Sequence, residues 1–167
     1  TGTIIGMRVV YVDAINKEVE RSWAEFTRVL DAAKTDEENE RIYQSRPQPD
    51  DWFPRLFAIA AEDPNGPGGE SALLWIVSRS RKGASCMKAL SILLRDHLGS
   101  PNLKMACQGL EFAQEPEAES FLRKVMGSSP HRDAQGFAAF TLAIQLQTRA
   151  AQSEAEAMFA LVKEKYA

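Results

Sequence analysis

Apolar side chains recur three or four residues apart along almost the whole chain, and that spacing leaves room for little besides helix. Val12, Ile15, Val19, Trp23, Phe26, Leu30 and Ala33 form one such seam. At a rise of about 1.5 Å per residue, the segment they span is a first helix roughly 33 Å long. Trp52, Phe53, Leu56, Phe57, Ile59 and Ala60 give a wide apolar face over 51–62, with Pro54 tolerated in its first turn. The run Ala72-Leu73-Leu74-Trp75-Ile76-Val77 lacks a period of its own and suits a buried strand or a buried helix. Helical neighbours and a length of about twelve residues predict helix over 70–81.

Punctuation divides the rest. Thr35-Asp36-Glu37-Glu38 reads as a capping box that starts a short helix carrying Ile42 and Tyr43. Arg46-Pro47-Gln48-Pro49-Asp50 reads as a loop, and Asp63-Pro64-Asn65-Gly66-Pro67-Gly68-Gly69 as the strongest break. Helices are expected over 84–98, 102–110, 116–126, 130–147 and 153–166. Gly99-Ser100-Pro101 and Gly127-Ser128-Ser129-Pro130 punctuate alike: glycine ends a helix, serine caps the next, and proline takes its first position. Ser153 and Glu156 suggest a last capping box. Pro101 and Pro130 lie twenty-nine residues apart, near the period of helix-hairpin repeats. The expected architecture is all-α, about eight helices in antiparallel hairpins forming a degenerate tetratricopeptide- or HEAT-like array.

The 167 residues suit a single domain, taken as 13–167, able to bury about 68–70% of its unfolded surface. Residues 1–12 lack an initiator Met and a signal-like start, so the chain reads as a fragment or processed form. Ile4, Ile5, Val9, Val10 and Val12 either extend the first helix or pair as a strand with another chain; the segment is otherwise a flexible or appended end. A hydrophobic fraction of 44% and a charged fraction of 26% exclude disordered and collagen-like classes. A net charge of −3 offers no excess of cations to a phosphate backbone, so no nucleic-acid partner is expected. No apolar run approaches the roughly 18–20 residues of a membrane span.

Cys86 and Cys107 form no C-x-x-C pair. A disulfide between them is open on counting alone, but both occupy helix-core positions and read as buried thiols. His97 and His131, the only histidines, have no zinc-ligand spacing around them, so no metal and no cofactor are expected. His97 falls in a last helical turn, where a cation suits the dipole. Gly69-Glu70-Ser71-Ala72-Leu73 fails as a nucleophile elbow, and the Asp63 loop, interrupted by Pro64 and Pro67, fails as a calcium loop. Gly68 and Gly69 offer N–H groups to an anion, but no Lys or Arg follows to hold a phosphate. Arg79, Arg81 and Lys82 read as a solvated helix end, and Trp23, Trp52 and Trp75 as core.

The most distinctive segment is Ser129-Pro130-His131-Arg132-Asp133-Ala134-Gln135-Gly136. Read locally, Asp133 complements the helix dipole and Arg132 reaches a carboxylate on a neighbouring helix. Gly136 costs roughly 1 kcal/mol against Ala inside a helix, which points to another helix crossing closely there, with Ala139 and Ala143 continuing a small stripe. Read functionally, His131, Arg132 and Asp133 are the candidate partner-binding residues, a docking point for an acidic group.

Phe121-Leu122-Arg123-Lys124-Val125 leading into this turn resembles a segment upstream of the thioredoxin-like domain in large exported bacterial proteins. Ala33-Lys34-Thr35-Asp36-Glu37-Glu38, the run from Ala72 to Val77, and the helix from Ala155 to Tyr166 follow in the same order. The Asp63 loop departs from that pattern, being longer and richer in glycine. The resemblance implies an exported or periplasmic protein whose redox chemistry lies in a following C-x-x-C domain, and it carries over no catalytic residue. The expected function is a non-catalytic helical interaction or spacer domain, for a protein or peptide partner or for its own C-terminal redox domain. The alternative is a small-molecule or enzymatic pocket between helices near His131, with His131 as base.

Overall fold

The computed structural model describes residues 2–166, with side chains over residues 10–166. The described chain is all-α, with no strand. Helix α1 (Gly2–Asp31) is followed by α2 (Asp36–Gln44), a short 3-10 turn (Pro49–Trp52) and α3 (Phe53–Glu62). Then come α4 (Pro67–Ser80), α5 (Gly83–Asp96), α6 (Leu103–Gln108), α7 (Pro116–Ser128), α8 (Arg132–Thr148) and α9 (Gln152–Lys165). Helix α1 runs unbroken through residue 12, so the N-terminal segment takes the helical alternative. The side chains of Ile4, Ile5 and Val9 lie outside the described residues.

The ambiguous run becomes the central helix. Ala72 through Val77 are all buried, because α4 is packed by α1, α3, α5 and α6 at once. A helix covered on every side needs no amphipathic period, which is why its apolar residues show none. From α4 outward one continuous core runs to α9, with Leu56, Leu90, Leu93, Phe121, Leu122 and Leu142 fully buried. Gln145, also fully buried, donates from Nε2 to the Leu110 carbonyl at 2.7 Å and ties α8 to the segment after α6. Two indoles anchor α1: Trp75 Nε1 donates to Asn16 Oδ1 at 2.5 Å and Trp52 Nε1 to Glu18 Oε1 at 3.1 Å.

Four local expectations are corrected. Helix α4 begins at Pro67, three residues before the predicted start, so Gly68 and Gly69 lie in its first turn. The Gly68 N–H donates to Asp63 Oδ2 at 3.2 Å, so the anion met by this glycine pair is the chain's own carboxylate. At α8, Pro130 is not the first helical residue. The Ser129 hydroxyl accepts from the His131 N–H at 3.3 Å, His131 becomes the N-cap, and the helix starts at Arg132. Third, Trp23 is 40% exposed, on the part of α1 beyond Val19 that has no buried residue.

The fourth concerns Ser153, the second residue of α9 and not its cap. The turn before it is closed from the other side. Ala150 has φ +60°, its N–H reaches the Gln147 carbonyl and the Ala151 N–H reaches the Leu146 carbonyl. This Schellman pairing satisfies the end of α8 and starts α9 one residue after Ala151. Alanine pays about 1–2 kcal/mol for the left-handed region that glycine occupies freely. Part of that gain is offset by the greater entropy of an unfolded glycine. Ala150→Gly is therefore expected to stabilise the chain by about 1 kcal/mol and to raise Tm by roughly 2–4 °C in a circular-dichroism melt.

Helix α5 lacks a side-chain cap of its own. Glu115 supplies one from across the fold, its Oε1 accepting from the Gly83 N–H at 2.7 Å. That bond, assisted by the Gln114 N–H and the Lys82 charge, holds the Glu115 carboxyl below its ordinary 4.5. A carboxylate with a lowered folded pKa stabilises above its unfolded pKa and loses that contribution as pH falls through the folded value. Glu115 is half-exposed, so the contribution is about 1 kcal/mol at neutral pH, in the ordinary capping range. Glu115→Gln should lose that amount at pH 7, and the gap between variant and parent should close as pH falls below 4.5 in urea titrations.

Candidate functional site

The distinctive turn folds into a hub joining three segments. Ser129 is buried, and its carbonyl accepts from Gln135 Nε2 at 2.6 Å. The Tyr166 hydroxyl donates back to Gln135 Oε1 at 3.3 Å, linking the end of α9 to the start of α8. His131 Nε2–H donates to the Gly99 carbonyl at 2.8 Å, fastening the same turn to the α5–α6 connection.

Arg132 takes a partner other than the expected carboxylate. Its Nε and Nη2 donate to the Lys165 carbonyl at 3.2 and 2.7 Å. The last carbonyls of a helix have no intrahelical donor and carry the negative end of its dipole, so a guanidinium placed there caps α9 from outside. A close approach is present at Gly136, but from a side chain and not from a crossing helix. A Cβ at that position would lie 3.2 Å from both Cβ and Cγ of Tyr166. The crossing group is one aromatic side chain at the C-cap of α9. Ala139 and Ala143 are fully buried, as a stripe of small residues between packed helices requires.

These contacts leave a groove between α8 and α9 with a volume of about 280 Å³, lined by Arg132, Asp133, Gly136, Phe137, Phe140, Val162 and Tyr166. Most of the lining is glycine, aromatic or aliphatic, and its two charged residues are adjacent in the first turn of α8. Phe137 is 36% and Phe140 42% exposed, and Phe140 meets Phe159 edge-to-face at 6.1 Å between centroids. Of the three residues singled out in the sequence, Arg132 and Asp133 line the groove. His131 does not, its Nε2 being held by the Gly99 carbonyl. Phe137, Phe140, Val162 and Tyr166 escaped the sequence reading. The available signal was two phenylalanines three residues apart, out of phase with the Ala134, Ala138 and Leu142 stripe that faces the core.

A second cleft of about 600 Å³ lies between α1, α4 and α6, where Asp13, Asn16, Trp75, Arg81, Met105 and Gln108 are among its walls. No histidine or cysteine lines it, and Ser78 there spends its hydroxyl on the Trp75 carbonyl. The thiols lie elsewhere, both unpaired and buried. Burial pushes the Cys86 thiol up and raises Cys107 to about 12. His97 is buried as well, at the C-cap of α5. Among the described residues no group of three or more His, Cys, Asp or Glu side chains converges to hold a metal ion. Among the same residues, no helix is long and apolar enough to cross a membrane.

The class defined by this geometry is an all-α domain with shallow interhelical grooves. Compared with protein-family models, curated proteins and solved structures, the chain matches none.

Proposed function

We propose that this chain is a non-catalytic helical interaction domain that takes an apolar segment of a protein partner in the α8–α9 groove. One observation carries the reading. Phe137 and Phe140 are exposed at the edge of a groove that already has an apolar wall in Val162 and Tyr166 and a charged end in Arg132 and Asp133. That is the make-up of a peptide groove, in which apolar anchors supply affinity and a few polar groups set direction. A volume near 280 Å³ falls below the roughly 300–1,000 Å³ of small-molecule and cofactor pockets and suits one or two side chains. The likeness of the Phe121 to Gly136 region to sequences preceding a thioredoxin-like domain makes a redox domain the first partner to try.

Selection of a phage-displayed peptide library on the immobilised chain tests the proposal, with fluorescence polarisation of the enriched peptides. A consensus with an apolar anchor is expected. Phe137→Asp should weaken its binding by about tenfold or more while the melting curve stays in place. Phe112→Ser, at a side chain 73% exposed and outside the groove, should leave binding unchanged. No enriched consensus, or peptides indifferent to Phe137→Asp, would overturn the reading.

A further inference from the structure

The distal half of α1 and the whole of α2 form a helical hairpin with no buried residue anywhere between positions 20 and 51. Its apolar side chains are nevertheless gathered on one side. Trp23 and Phe26 meet edge-to-face at 5.6 Å, and Phe26 meets Tyr43 of α2 at 6.1 Å. Trp23 is 40% and Tyr43 52% exposed. A helix as short as α2 is marginal by itself, and an amphipathic face is ordinarily stabilised by what it packs against. Here the cover is incomplete within the chain.

Charge indicates what completes it. Seven acidic and four basic side chains lie at positions 20–44, a net −3 that Arg46, with its guanidinium over the Tyr43 ring at 5.2 Å, reduces to −2 across the hairpin and its patch. Glu20 stands one turn before Trp23, and Glu40 one turn before Tyr43, which places carboxylates along the border of the aromatic patch. Arg28, one of the four cations, is already paired with Glu25 at 2.6 Å.

We infer that the α1–α2 hairpin is a second docking surface, independent of the α8–α9 groove, that binds a basic amphipathic helix of a partner protein. The apolar side of such a helix covers Trp23, Phe26 and Tyr43, and its lysines or arginines meet the flanking carboxylates. A second copy of this chain would bring two acidic surfaces together, and an anionic membrane would be repelled in the same way.

The test uses the full chain and a labelled leucine–lysine amphipathic peptide about five helical turns long, beside a leucine–glutamate peptide of the same pattern. Fluorescence anisotropy should show saturable binding of the lysine peptide, weakened by salt, and none of the glutamate peptide. Trp23→Ser with Tyr43→Ser should weaken binding by about tenfold or more. Glu20→Gln with Glu40→Gln should do so without touching the aromatic patch or the acidic first turn of α2, which guards against a variant that merely loses helix. Phe137→Asp should change nothing, so failure here is distinguishable from failure of the α8–α9 groove. Equal binding of both peptides, or lysine-peptide binding that survives the Trp23/Tyr43 variant, would overturn the inference. So would concentration-dependent dimerisation, or binding to phosphatidylserine vesicles, that the same variant abolishes.

Discussion

Gly69→Ala is expected to destabilise this chain by about 3 kcal/mol or more and to lower Tm by roughly 6–12 °C. The position is inside a helix, where alanine is ordinarily favoured over glycine by roughly 1 kcal/mol. Tertiary packing reverses that preference. A Cβ on Gly69 would fall 2.2 Å from the Asp63 carbonyl oxygen and 3.4 Å from the Ala60 Cα. Both are backbone atoms, so relief requires moving the end of α3 against the central helix. Gly99→Ala is the matched control, because nothing lies within 4 Å of its added methyl. That variant should melt within about 0.5 kcal/mol of the parent. Equal melting of Gly69→Ala and Gly99→Ala would show that the α3–α4 turn is looser than its contacts state.

Both thiols are expected to be nearly inert in the native protein. Cys86 and Cys107 are fully buried, and a thiol held at about 12 presents far less thiolate at neutral pH than one at its ordinary 9.0. Labelling of Cys107 by a disulfide reagent at pH 8 should be slower by about three orders of magnitude than in denaturant, where both thiols react at once. The same displacement sets a pH dependence. A thiol raised in the folded state favours folding below its unfolded pKa, and that contribution is lost as pH climbs above 9.0 toward 12. Fast native labelling would place a thiol in contact with solvent and reopen a redox role for this chain.

Much of the helical framework was legible because its signals are local. Thr35 caps α2 as its motif predicts, its Oγ1 accepting from the Glu38 N–H at 3.2 Å, while the Glu38 carboxylate turns to the Lys34 N–H at 2.9 Å. Pro116 occupies the first position of α7, where its missing N–H costs nothing. Gly136 announced a close approach that its energetic cost demanded. Where boundaries slipped, a contact from elsewhere had won. The Asp63 carboxylate drew the start of α4 back to Pro67, and the Ala150 turn displaced Ser153 from its cap.

At the candidate groove the sequence singled out the turn that supplies two of the lining residues and missed the others. Arg132 and Asp133 reach the groove, but the Arg132 guanidinium is committed to a carbonyl of α9 more than thirty positions away. Phe137 and Phe140 carry the exposed wall, and nothing local distinguishes an exposed phenylalanine from a buried one. Trp23 makes the same point in reverse, since it continues a regular apolar seam that the rest of the fold does not cover.

By itself the sequence determined that most of this chain is helical, where most helices start and stop, and which stripe of the amphipathic ones is apolar. Capping, backbone sterics and a period of 3.6 act over a few residues, so those results need little from the surroundings except where a distant contact moves a boundary. Only the tertiary structure decided which stripes are covered. It buried α4 on every side, left Trp23 and Tyr43 open on the α1–α2 hairpin, and set Tyr166 against Gly136 to form the groove. Burial depends on partners distant in sequence, and no spacing within one helix records what will be packed against it.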